Sequence, residues 1–208
     1  MSKSRHNKWM TIVDGHHRIF RKCNNLKGLA GKYDVLEFER HPYTPDHLDK
    51  VSKLIRSNLT DNLLSKEIKK KYPDYHPRWK YPFFGFCVPA TFVLLYLMDT
   101  ETLEPIRGED SEGEGHWWLR DNLSQERYDL TFDQFATNEE RENVYKTGKP
   151  KGYYEFGEMP ASSFFDLIQK VQPNSRRWKT DLLSIYKDFG FKTKLKTMEN
   201  SRKLQTKF

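Results

Sequence analysis

At 208 residues and 24.9 kDa the chain is long enough for one elaborated domain and too short for two full enzyme domains. Apolar residues make up 36%, aromatics 14% and charged residues 31%, which excludes simple disorder and predicts a core built on rings. The formal charge of +7 is unevenly spread: residues 1–80 hold 18 Lys and Arg against 9 Asp and Glu, residues 81–169 hold 7 against 17, and residues 170–208 hold 11 against 3.

An acidic middle between two basic ends has two explanations. The ends fold back against the centre and neutralise it, or they form a surface for nucleic acid or an acidic protein. The runs Lys69-Lys70-Lys71 and Arg176-Arg177-Trp178-Lys179 suit phosphate contacts with base stacking, and equally suit solvated faces. Cys23 and Cys87 are the only cysteines, which excludes a disulfide scaffold and makes free thiols the default. The longest apolar run, residues 92–98, is far short of the ~20 residues of a membrane span, and the basic start has no signal-like apolar segment. A soluble, cytoplasmic protein without a membrane partner is expected.

In chain order, residues 8–22 read as a hairpin, with Thr11-Ile12-Val13 and Arg18-Ile19-Phe20 flanking the turn dipeptide Asp14-Gly15. His16 and His17 near Cys23 suggest a metal, but no second ligand pair follows at suitable spacing, so no metal and no cofactor are expected. Residues 33–38 read as a strand. Thr44-Pro45-Asp46 is a helix start, and Leu48, Val51, Leu54, Ile55 and Leu59 form its apolar stripe. A second helix opens at Thr60 or Asp61 and carries Leu63, Leu64 and Ile68 into the lysine run; Pro73 and Pro77 end it in a ring-rich loop over residues 72–86. The next helix begins near Cys87 and is apolar on nearly all sides, which predicts a buried central position. An acidic loop over 107–115 leads to strands at 117–120 and 127–130 with a turn near Asn122. Helices are predicted at 138–145, 162–171 and 180–189, a Gly/Pro/Tyr loop at 147–157, and a basic tail at 191–208.

Cys87, His116 and Asp129 fall in an order with mechanistic meaning. A thiol at a helix N-terminus meets unpaired N–H groups and the positive end of the helix dipole, both of which favour the nucleophilic thiolate. The same N–H groups can hold an oxyanion. An imidazole on a neighbouring strand can take the thiol proton, and a carboxylate on the next antiparallel strand can fix its tautomer. In a short hairpin His116 and Asp129 are expected as cross-strand neighbours on one face. The bland alternatives are a packed core cysteine, a loop-closing histidine and a strand-end acid.

The segments Gly85-Phe86-Cys87-Val88-Pro89-Ala90-Thr91, Gly115-His116-Trp117-Trp118-Leu119 and residues 128–135, Tyr-Asp-Leu-Thr-Phe-Asp-Gln-Phe, resemble the YunG-like proteins of bacteria and phages, within the papain-like and transglutaminase-like superfamily. The resemblance covers roughly residues 79–135. It implies that superfamily's fold and a Cys-His-Asp triad on Cys87, His116 and Asp129. Related hydrolases often place a glutamine shortly before the cysteine as an oxyanion donor, whereas Gly85-Phe86 stand there here, and Pro89 removes an N–H from the first helical turn. The expected donors are then the Cys87 amide with Trp79 or Tyr81.

The expected architecture is α+β and papain-like, the Cys87 helix packed on a small antiparallel sheet with extra helices. The chain is expected to divide into an N-terminal basic extension (1–78), a catalytic core with C-terminal helices (79–190) and a basic tail (191–208). The expected activity is that of a cysteine-dependent amide, isopeptide or thioester hydrolase or acyl transferase acting on a peptide, amine or acyl substrate. Trp79, Tyr81, Trp118, Glu112 and Glu114 are the expected substrate contacts, the acidic loop of Glu109, Asp110, Glu112 and Glu114 favouring a cationic group. The alternative is a non-catalytic phage or bacterial binding or inhibitory protein that contacts nucleic acid or an acidic protein through its basic ends.

Overall fold

The computed structural model describes residues 10–13, 16–22, 32–151, 162–181 and 184. Cys23, the loop beyond residue 151, most of the predicted helix at 180–189 and the basic tail lie outside them. The fold is α+β, and it divides into two compact units, one built on Arg40–Asn174 and one containing Trp9–Glu39 with Ser175–Phe208.

The second unit is an antiparallel sheet of four strands in the order β1-β2-β3-β10: β1 (Met10–Val13), β2 (His16–Lys22), β3 (Lys32–Phe38) and β10 (Arg176–Asp181). The predicted hairpin and third strand are present. β10 corrects the sequence reading, because Thr180 and Asp181, expected to open a helix, pair with Tyr33 and Lys32. Phe20, Val35 and Trp178 align across three strands and pack with Tyr33, the ring-rich burial the composition predicts.

In the first unit, α1 (Pro45–Ser57) starts where the Thr44 hydroxyl accepts the His47 amide, with Pro45 in the first turn, and buries Val51 and Ile55. The second predicted helix is broken. Asp61–Leu63 forms one 3-10 turn, and Ser65 restarts the chain as α2 (Lys66–Lys71) by accepting the Ile68 amide at 3.1 Å. After the ring-rich loop, α3 (Cys87–Leu97) buries every residue except Val88. Its short continuation β5 (Met98–Asp99) pairs in parallel with β4 (His41–Pro42).

A four-stranded sheet runs β8-β7-β6-β9, from β6 (Leu103–Glu109), β7 (Gly115–Asp121), β8 (Arg127–Tyr128) and β9 (Lys149–Pro150). Here the predicted loop at 107–115 shortens to residues 110–114, because Arg107, Gly108 and Glu109 belong to β6 and pair with β7. The turn after β7 is pinned by Asp121, which accepts the Leu123 amide at 2.7 Å and the Ser124 amide at 3.1 Å. α4 (Asn138–Thr147) packs on β6, and α5 (Ser162–Val171) packs on α3.

The face of α3 toward β7 is fixed by two contacts: the Thr91 hydroxyl donates to the Trp117 carbonyl at 3.0 Å, and the Phe92 ring lies 5.3 Å from the Trp117 ring. On another side Phe92 stacks on Phe164 of α5 at 6.0 Å. α1 also packs on α3 and α5. The structure therefore does not divide at residue 78 as expected from the sequence: α1 and α2 belong to the same unit as the Cys87 helix. None of the helices among the described residues is long and apolar enough to cross a membrane.

Candidate active site

Cys87 is the first residue of α3, and the turn before it holds two left-handed residues, Phe83 at φ 61° and Gly85 at φ 82°. A Cβ on Gly85 would stand 3.0 Å from the side chains of both Ile68 and Leu64, which would have to give by a few tenths of an ångström, and the positive φ strains any other residue there. Arg56 of α1 braces this turn with its guanidinium 4.4 Å from the Phe83 ring. The same guanidinium donates to the Leu130 carbonyl at 2.7 Å and pairs with Asp133 at 2.5 Å. One side chain thus ties the loop before Cys87 to the turn that follows β8. Because Phe86 N–H donates to the Phe83 carbonyl and Pro89 has none to give, the amides free to face a ligand in the first turn are those of Cys87 and Val88.

His116 is the second residue of β7, and its alternation with Trp118 puts both rings on one face. β8 pairs Tyr128 with Leu119 and ends there, so Asp129 lies just past the ladder and meets His116 diagonally rather than as a direct cross-strand partner. His116 Nε2 is 2.6 Å from Asp129 Oδ2. Both carboxylate oxygens are engaged. Oδ2 also accepts the Tyr145 hydroxyl at 2.7 Å, while Oδ1 accepts the Thr131 amide at 2.8 Å and the Thr131 hydroxyl at 3.2 Å.

Burial by itself would push the Asp129 carboxyl up, but the His116 charge, with hydrogen bonds from His116, Tyr145 and Thr131, holds it below its ordinary value. Burial likewise pulls His116 down, and is outweighed by the Asp129 charge and hydrogen bond and by the Cys87 side chain, so that its pKa is raised to about 9. Cys87 is thus among the groups that favour the charged ring. With Nε2 taken by Asp129, Nδ1 is the ring atom left for the thiol. The ring is walled by Phe135 at 4.8 Å edge-on and by Trp118 stacked at 5.7 Å.

Cys87 and His116 open into one cleft of about 260 Å³, whose lining includes Leu63, Ile68, Phe84, Phe135 and Phe164 as apolar walls and Glu67, Asp110 and Glu114 as acids. Asp110 pairs with Arg78 at 2.7 Å, and Glu114 pairs with Lys71. The chain matches no family model, no curated protein and no solved structure.

Of the residues expected to contact substrate, Glu114 lines the cleft and the other four do not. Trp79 directs its indole N–H to the carbonyls of Tyr72 and Pro73, at 3.1 and 2.9 Å, so it supports the loop and has no donor left for an oxyanion. Tyr81 follows that loop's 3-10 turn with Lys80 over its ring. Trp118 is buried behind His116, against Ile106 and Val144. Glu112 is tied to Arg78 at 3.1 Å. The acidic loop is therefore partly neutralised by the protein's own cations, Arg78 serving both Asp110 and Glu112 and Lys71 serving Glu114. Among the basic residues near the ends, Arg18 pairs with Glu37 and Arg177 with Asp34, and Arg18 and Arg176 lie against Trp178.

Sequence reasoning missed Arg56, Tyr145 and the role of Gln134. Arg56 and Tyr145 carry no local signal, since each acts on a partner far along the chain. Gln134 stands within the Asp-Leu-Thr…Gln-Phe segment, and its side chain lies 2.8 Å from His116 Nδ1.

Proposed function

We propose that the protein is a cysteine-dependent hydrolase or acyl transferase of papain-like type, acting on an amide, isopeptide or thioester. The observation that carries this function is the relay of Cys87, His116 and Asp129 at the wall of a cleft, with the thiol at a helix N-terminus and the carboxylate saturated with donors. The Cys87 proton passes to His116 Nδ1, and the sulfur attacks the acyl carbonyl. The developing oxyanion is stabilised by the amides of Cys87 and Val88 at the positive end of α3. His116 then gives the proton to the leaving nitrogen or sulfur, which departs and leaves an acyl-Cys87 thioester. Water or an acceptor amine, deprotonated by His116, attacks that thioester and regenerates the thiol. Asp129 keeps the ring oriented and supports its positive charge throughout.

The volume of about 260 Å³ suits one side chain or a short acyl tail next to the scissile bond, and its aromatic and aliphatic walls favour an apolar one. An activated model ester tests the chemistry without knowledge of the natural substrate. Folded protein treated with p-nitrophenyl acetate should release p-nitrophenolate in a burst and carry one acetyl group, which peptide mass spectrometry should assign to Cys87. Acetylation spread over surface lysines with Cys87 unmodified would favour the non-catalytic binding protein.

A further inference from the structure

Gln134 sits on the one His116 atom that the proposed chemistry needs free. Its amide nitrogen is 2.8 Å from Nδ1, and 3.0 Å from both the carbonyl oxygen and the hydroxyl oxygen of Thr131. A backbone carbonyl can only accept, so the Thr131 carbonyl fixes which end of the amide faces inward: it is the NH2 end. Its two N–H groups have three partners in reach, the Thr131 carbonyl, the Thr131 hydroxyl and Nδ1, and Nδ1 at 2.8 Å is the nearest. A bond to Nδ1 needs a lone pair there, which puts the proton of the neutral ring on Nε2, donated to Asp129 over 2.6 Å.

Resting on the proposed hydrolase function, we infer that Gln134 is a positioning residue that selects the Nε2–H tautomer whenever the His116 ring is neutral, and that placing a proton on Nδ1 requires the amide to turn away. A proton on Nδ1 would otherwise face the amide N–H across 2.8 Å, two donors with no acceptor between them. The groups around the ring divide by sign. Asp129 after β8 and Cys87 of α3 favour the imidazolium, and Tyr145 of α4 acts through its hydrogen bond to Asp129. Asp110 and Glu114 share the cleft but are matched by Arg78 and Lys71, while Trp118 and Phe135 against the ring are uncharged. Gln134 is the neighbour that opposes protonation. The charged ring therefore forms against this amide, which must turn its N–H aside when Nδ1 takes a proton.

Nitrogen NMR of histidine-labelled protein across pH reads the tautomer and the titration midpoint of His116 directly. In the unaltered protein the neutral ring should carry its proton on Nε2. Gln134→Met, which keeps the unbranched length but has no N–H, should raise the midpoint by about one unit, which well above the midpoint is an about tenfold larger imidazolium fraction. A proton on Nδ1 in the unaltered protein, or a midpoint unchanged or lowered in the variant, overturns the inference. Gln134→Leu provides the same comparison if the methionine variant does not fold, and the tautomer measurement requires no variant. Turnover does not enter either readout: failure of Cys87 to acetylate overturns the hydrolase function, whereas acetylation with an unmoved His116 midpoint overturns the role of Gln134.

Discussion

His116→Ala should slow acetylation of Cys87 by about 10²–10⁴-fold, the range that a positioned general base contributes, measured under conditions where circular dichroism shows the variant folded, since it too breaks the buried pair with Asp129. The effect is this large because His116 is the base of the proposed relay: Asp129 bonds its Nε2 at 2.6 Å, and the ring lines the same cleft as Cys87. Removing the imidazole leaves the amides at the head of α3 in place, so residual acetylation should persist well above that of Cys87→Ala, which has no nucleophile. Equal rates in the unaltered and His116→Ala proteins would show that the thiol reacts without a base.

Asp129→Ala should cost the folded protein about 3–5 kcal/mol, the usual penalty for breaking a buried charge pair by removing one partner. Both side chains are enclosed, at 5% exposure for His116 and 3% for Asp129, and the substitution also orphans the Tyr145 hydroxyl and the Thr131 amide. The loss should depend on pH at both ends. His116 is raised to about 9, so its contribution is full below its unfolded value of about 6.5 and fades as pH rises through about 9. Asp129 is lowered, so its contribution is full above its unfolded value of about 3.9 and fades as pH falls through its lower folded value. The gap in urea-unfolding free energy between the two proteins should therefore be widest from about pH 4 to 6.5 and narrow toward pH 9.5. A gap that widens with alkali would contradict the pairing.

Elements whose signals are local were legible in the sequence. The β1–β2 hairpin, the Thr44-Pro45-Asp46 start of α1 and the largely apolar α3 each follow from strand, cap or burial chemistry within a few residues. β6 was not legible at its C-terminal end, because Arg107, Gly108 and Glu109 give no apolar alternation, and they are held in place by pairing with β7. β10 offers one large apolar residue, Trp178, and owes its extended form to β3, far away in the chain.

At the site, the chain order of Cys87, His116 and Asp129 picks out three residues of which His116 and Asp129 are hydrogen-bonded and Cys87 and His116 share a cleft, since a helix start and a hairpin are local devices. The substrate-contact expectations failed for a different reason. Trp79 and Glu112 spend their polar atoms on Tyr72, Pro73 and Arg78, partners that only the folded loop reveals. Arg56, which ties the turn before Cys87 to the turn after Asp129, is one basic residue among many until both turns are folded around it.

The central claim is that Cys87 is an accessible, base-assisted nucleophile rather than a sealed core thiol. At 7% exposure it is nearly enclosed, yet it lines the cleft, so its reactivity decides between the two. The most direct measurement is the pH dependence of iodoacetamide labelling at Cys87 and Cys23 in the native protein, resolved by peptide mass spectrometry. Cys87 should label faster than Cys23 near neutral pH, and should lose that advantage in urea. Labelling of Cys87 only after unfolding, or at the same rate as Cys23 at every pH, would contradict the account.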